Sequence, residues 1–173
     1  MYHHISQIDI YGECGTLSCP RQNDTACWDM VERDYFFYLS FENSLCKDYI
    51  TEKFSNAMKK KIVPIVLGGA FNGESNNSDY IKGYGAPNHS FIDVRNYANP
   101  KELSDYLNKL YTSPQLYAEY FWWKDYYNIT IGEKPSQTYC DICRVLHEES
   151  NNKNVHKVIE DLQEFWDKRS RCH

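Results

Sequence analysis

Glu42 and Asn43 close an apolar run, and Tyr49, Glu52 and Lys53 follow a few residues later. The last three are spaced i, i+3 and i+4, which puts them on one face of a helix. A carboxylate in that place can accept both hydroxyls of a ribose diol. An ammonium, helped by the amides and dipole of a helix start, can neutralise a diphosphate. The same trio also suits a surface ion pair beside an exposed tyrosine, and spacing alone favours that pair because such trios are common.

Other groups make poorer chemistry. Cys140-x2-Cys143 with His147 and His156 imitates a metal knuckle, but no second close cysteine pair completes a zinc set. The seven cysteines fall mainly near the two ends, and Cys14, Cys19, Cys27, Cys140 and Cys143 are the disulfide candidates. Sequons begin at Asn23, Asn76, Asn88 and Asn128, and together with the cysteines they favour an oxidising lumen. An odd cysteine count leaves one thiol without a partner in this chain. The histidines are scattered with no Ser-His-Asp signature. His89 is read as a loop hydrogen-bonder rather than a catalyst.

These residues need elements to hold them. The spacing predicts a strand over 5–11, a loop over 12–30, and a strand over 35–41. That last run, Tyr35-Phe36-Phe37-Tyr38-Leu39-Ser40-Phe41, is so continuously apolar that burial on both faces is expected. Ile50, Phe54, Ala57 and Met58 form one helical stripe, with Thr51 or Asp48 as cap. Ile62 to Leu67 reads as a second buried strand, interrupted by Pro64. A loop rich in Gly, Asn and Ser follows over 69–89, and Ser90–Val94 is a third strand. Helices are expected from Pro100 and from Ser113-Pro114 to about Tyr127. The pattern breaks over 128–140 and resumes as an amphipathic stretch, Val155 to Trp166. Strands alternating with helices predict an α/β fold with a mostly parallel sheet. Ligands of such sheets bind beyond the carboxyl ends of the strands, where Glu42, Asn43 and residues 49–53 fall. No G-x-G-x-x-G occurs, so a glycine-rich phosphate loop is not the binding device.

Composition narrows the classes. The 173 residues are 42% hydrophobic and 25% charged, which is globular rather than disordered. A net charge of −5 disfavours nucleic acid as a partner. The Lys59-Lys60-Lys61 run reads as a solvated helix end. No run reaches the ~18 apolar residues of a membrane span, and the first residues carry no signal-peptide stretch.

Three stretches carry a family likeness. Phe37-Tyr38-Leu39-Ser40-Phe41-Glu42-Asn43-Ser44, then Lys47 to Lys53, then Val63-Pro64-Ile65-Val66-Leu67-Gly68 closely resemble the signature of α1,3-fucosyltransferases. Ala86 to Asp93, Leu103 to Leu107 and Tyr120 to Lys124 continue the likeness. Ile10 to Gly15 and Cys140-Asp141-Ile142-Cys143 look most like the branch acting on the N-glycan core. The resemblance implies a two-lobed GT-B enzyme with a Rossmann-like domain in each lobe, of which this chain matches the carboxyl-terminal, donor-binding lobe. Residues 1–127 would be that GDP-fucose-binding lobe, and residues 128–173 a cysteine-containing tail with a terminal amphipathic helix.

The activity so implied is inverting transfer of L-fucose from GDP-fucose to N-acetylglucosamine of a glycoprotein N-glycan, without a metal or other cofactor. Glu52 would hold the guanosine ribose and Lys53 the diphosphate, with Tyr49 and Asn43 on the phosphates or sugar. Glu42 would lie at the donor sugar or just behind it. The family's general base, a further basic phosphate ligand, the stem and the membrane anchor are expected in an amino-terminal part outside this chain. The expected location is the lumenal side of the Golgi cisterna membrane. On that view the chain is a fragment or a truncated relative. The competing readings are a non-catalytic nucleotide-sugar-binding module and a glycosyltransferase using another nucleotide sugar.

Overall fold

The structure is a computed structural model that describes residues 8–12, 14–19, 24–47, 49–69, 79–82, 85–129, 135–150, 158 and 160–164. The element order is α1 (Asp24–Asp34), β1 (Phe37–Phe41), α2 (Glu52–Lys59), β2 (Val63–Leu67), α3 (Asp79–Lys82), β3 (Ile92–Asp93), α4 (Pro100–Tyr111), α5 (Pro114–Ala118) and α6 (Pro135–Ser150). A 3₁₀ turn at Val94–Asn96 and a seven-residue 3₁₀ segment at Glu119–Asp125 complete it. Among the described residues the sheet has three parallel strands in the order β1-β2-β3. The α/β class and the parallel sheet are as the sequence predicts.

The central strand carries the core. Val63 and Ile65 face one layer, with Ile92, Leu107, Leu110 and Tyr120. Val66 faces the other, with Phe54, Met58, Tyr80, Ala86 and Trp123. Helices thus cover both faces of β2, which is why its whole run is apolar. Pro64 fits there for a geometric reason. Strand nitrogens alternate in direction, and Val63 N–H points to β1, where it donates to the Phe36 carbonyl at 3.0 Å. The Pro64 nitrogen therefore points toward β3, whose pairing starts only opposite Ile65.

Several expectations are corrected. β1 is not buried on both faces. Among the described residues it is the sheet's edge, with Ser40 buried but Leu39 and Phe41 exposed, because β2 takes the sandwiched place. No strand forms over 8–11; Tyr11 makes one isolated bridge to Leu17. The loop expected over 12–30 gives way at Asp24 to α1, which docks on α2 through Lys60 to Asp29 at 2.6 Å and Lys61 N–H to Glu32 at 2.8 Å. The lysine run is thus a helix end tied to a neighbour rather than merely solvated. The break expected over 128–140 contains the start of α6, whose Tyr139, Ile142 and Leu146 are solvent-exposed. Asp48 and half of the 155–166 stretch lie outside the described residues.

Candidate functional site

The site begins where β1 ends. Glu42 N–H donates to the Leu67 carbonyl at 2.9 Å, which fixes its backbone to the end of β2. Its side chain is fully buried. Burying a carboxylate demands partners, and Thr51 supplies both: its amide donates to Oε1 and its hydroxyl to Oε2, each at 2.8 Å. Gly68 makes room for this arrangement. A Cβ there would lie 2.8 Å from Glu42 Cγ and 2.5 Å from the Tyr80 hydroxyl, closer than packed atoms approach.

Thr51 is also the N-cap of α2, its hydroxyl oxygen accepting from the Lys53 amide. Lys53 Nζ lies 3.3 Å from that same hydroxyl and 3.5 Å from Glu42 Oε2. Ser40 Oγ donates to the Lys53 carbonyl at 3.1 Å. Lys53 is thereby held on three sides with its side chain 26% exposed. Glu52, the first residue of α2, is 71% exposed and 4.0 Å from Lys53. A buried acid, a cap hydroxyl and a partly exposed amine thus form one chain at the carboxyl end of β1. Such a setting can receive an anionic ligand, because the helix end and the ammonium present the same sign of charge.

The spacing predicts one helical face for Tyr49, Glu52 and Lys53, and the structure corrects this. α2 starts at Glu52, so Tyr49 precedes the cap, half-buried, its N–H donating to the Cys46 carbonyl at 3.2 Å. Asn43 is exposed in the bend after β1. Both carboxylate oxygens of Glu42 are taken by Thr51, which gives Glu42 a supporting place behind Lys53. Tyr38 lies near this acid cluster. Burial, then the Glu52 and Glu42 carboxylates, push its phenol above the ordinary range.

Three residues important to this geometry carried no sequence signal of their role. Tyr80 falls in the loop expected over 69–89, and Gly68 and Lys124 end stretches of the family likeness that assign them no role. Lys124 reaches back to the Met58 carbonyl at 2.7 Å, at the last turn of α2, with its ammonium 4.7 Å from the Trp123 ring centre. Desolvation lowers its pKa below the ordinary lysine value.

Among the disulfide candidates, Cys19 and Cys27 are bonded, with Cα atoms 5.8 Å apart. Cys14, Cys140 and Cys143 are exposed free thiols, which corrects their assignment. The latter two face solvent from α6, and Cys14 lies in an exposed turn. Cys46, which was not a candidate, is buried and disulfide-bonded. Asn88 and Asn128 are exposed, whereas Asn23 and Asn76 lie outside the described residues.

Parallel strands with helices on both faces, and a lysine held by an acid and a cap hydroxyl at the strands' carboxyl end, define an α/β domain. The chain belongs to glycosyltransferase family 10 (fucosyltransferase), whose C-terminal model matches residues 1–165. It is 40% identical over 160 residues to alpha-(1,3)-fucosyltransferase C of Drosophila melanogaster, covering 92% of this chain and 34% of that protein. It is also 40% identical over 162 residues to glycoprotein 3-alpha-L-fucosyltransferase A of the same organism, covering 92% of this chain and 29% of the other. The chain thus spans about a third of the length of these relatives. A solved α1,3-fucosyltransferase with GDP-fucose aligns at a TM-score of 0.39 and 28% identity, over 51% of this chain and 23% of that one. No helix among the described residues is long and apolar enough to cross a membrane.

Proposed function

We propose that this chain is the donor-binding lobe of a GT-B α1,3-fucosyltransferase that uses GDP-fucose and fucosylates N-acetylglucosamine of glycoprotein N-glycans with inversion. The observation that carries the reading is the placement of Lys53. A lysine in the first turn of a helix works against the helix dipole. Here Glu42 and Thr51 hold one in that turn, an arrangement that stabilises an anion better than it stabilises the fold.

In the proposed reaction the bond between fucose C1 and the diphosphate oxygen breaks, and its electron pair leaves with GDP. A bond forms from the acceptor hydroxyl oxygen to the opposite face of C1. The hydroxyl proton passes to a carboxylate base in the amino-terminal lobe expected outside this chain. Lys53 offsets the negative charge that grows on the leaving diphosphate, so neither metal nor other cofactor is required. Glu52, exposed beside it, accepts from the ribose diol. Tyr49 and Asn43 would reach the phosphates or the sugar. The working place is the Golgi lumen, where the Cys19–Cys27 disulfide would persist.

Calorimetry with GDP-fucose tests the donor assignment. Measurable binding that Lys53→Ala and Glu52→Ala both weaken is expected. Absence of binding by the wild type, or binding indifferent to both changes, overturns it. A radiolabel transfer assay with acceptor glycopeptide then separates an active transferase from a nucleotide-sugar-binding module, and competition by UDP-sugars tests donor identity.

A further inference from the structure

The charged groups at the end of β1 leave a second site unused. Along the outer side of β3 lies a cavity of ≈ 690 Å³, lined in part by His89, Asp93, Arg95, Tyr97, Tyr106 and Tyr120. We propose that this cavity is a carbohydrate subsite that takes a neutral sugar unit of the acceptor glycan.

Its chemistry is that of a polyol site rather than a phosphate site. Asp93 and Arg95 neutralise each other through a two-pronged pair, with contacts of 2.9 Å and 2.6 Å. The Tyr106 and Tyr120 hydroxyls meet at 2.8 Å. The Tyr97 and Tyr106 rings lie 5.5 Å apart. Planar polar groups in matched charge beside aromatic rings suit hydroxyls and the apolar faces of a pyranose. The volume falls in the range of small-ligand sites.

The wall is also held rigid. His89 adopts φ of 56°, the only positive φ at a non-glycine among the described residues. Backbone in that region persists where its surroundings enforce it, and such positions gather at ligand sites. Here the Trp122 indole donates to the Asn88 carbonyl at 3.0 Å and Ser90 Oγ to the Pro87 carbonyl at 2.7 Å. The imidazole stacks on Tyr120 with ring centres 4.1 Å apart, and its Nε2 lies 3.8 Å from Glu119. The turn is fixed from three sides and presents His89 to the cavity.

Position fits as well. Asp93 ends β3 as Phe41 ends β1, and two strand spacings separate them, about 10 Å. Tyr80 of α3 sits against Gly68 in the first site, and its neighbour Ile81 lines the cavity. The identity of the sugar as acceptor glycan rests on the fucosyl-transfer reading, while the presence of a sugar site does not.

Saturation-transfer and amide-shift NMR on the unglycosylated 173-residue chain, with N,N′-diacetylchitobiose and separately with L-fucose, decides the matter. Unglycosylated protein removes any glycan on Asn88 as a competing source of sugar. Chitobiose is expected to shift amides of residues 89–97. Asn96→Trp, a block at an exposed lining position, and His89→Gly, which preserves the turn, should each weaken it roughly tenfold or more. Preferential binding of L-fucose at the same residues would keep the sugar site but reassign it to the donor sugar and overturn the acceptor assignment. No sugar binding, shifts elsewhere, or binding unaffected by both variants overturns the proposal. GDP titrated in parallel reads the first site independently, so a failure there is distinguishable.

Discussion

The two ends of α2 carry a lysine each, and the two lysines do opposite things. Lys124 comes from a distant 3₁₀ turn to the carboxyl end, where a cation complements the dipole and closes a backbone carbonyl. It is half-buried and committed to the fold. Lys53 sits at the amino end, where the dipole disfavours it, and needs a buried acid and a cap hydroxyl to hold it. The contrast teaches that location on a helix separates a cation that serves the fold from one the helix does not favour, and the proposed function gives the second its use.

The sharpest way to break that contrast is at Glu42. Glu42→Ala leaves the Thr51 amide and hydroxyl without their acceptor and should cost about 3 kcal/mol of stability, read by urea unfolding, and weaken GDP with it. Glu42→Gln keeps an acceptor for Thr51 and should cost less, while still freeing Lys53. An unchanged GDP affinity in Glu42→Gln would show that Lys53 needs no holding. Lys53→Met should lose about 2 kcal/mol of GDP binding, roughly thirtyfold, with stability unchanged or slightly higher. A large loss of stability would make Lys53 a second structural lysine. Lys124→Met should do the reverse, costing about 1 kcal/mol of stability with GDP affinity unchanged by calorimetry.

The smallest effect is read against pH. Burial holds the Tyr117 and Tyr120 phenols above their ordinary value. The folded state therefore keeps protons that the unfolded state releases, and stability falls as pH rises beyond about 10. Lys124 pulls the other way, because its lowered pKa lets the folded state shed a proton first. Thermal melts of Lys124→Met should lose stability more steeply in that alkaline range than the wild type.

Much of this was legible in the chain and some was not, for physical reasons. The Ile50–Phe54–Ala57–Met58 stripe and the Thr51 cap follow from local rules, and both stand. So does the apolar run of β2, since a sandwiched strand writes its burial into every position. The equally apolar run of β1 misled, because strand order, not composition, decides which strand is central. The acid and amine at 52 and 53 and the acid at 42 were visible as types, but the burial of Glu42 was not. Its burial depends on Gly68, a neighbour across the sheet rather than along the chain. α1 and α6 were missed although Cys27, Met30 and Val31, and Tyr139, Ile142 and Leu146, recur at helical spacing. Flanking cysteines and turn residues masked the period.

The exposed rim of β1 has a practical consequence. A parallel strand carrying Leu39 and Phe41 toward water, unpaired along its outer side among the described residues, is a template on which another copy can zip. Recombinant chain should therefore thicken into oligomers as concentration rises, and a single Leu39→Lys change should act as a gatekeeper that keeps it dispersed.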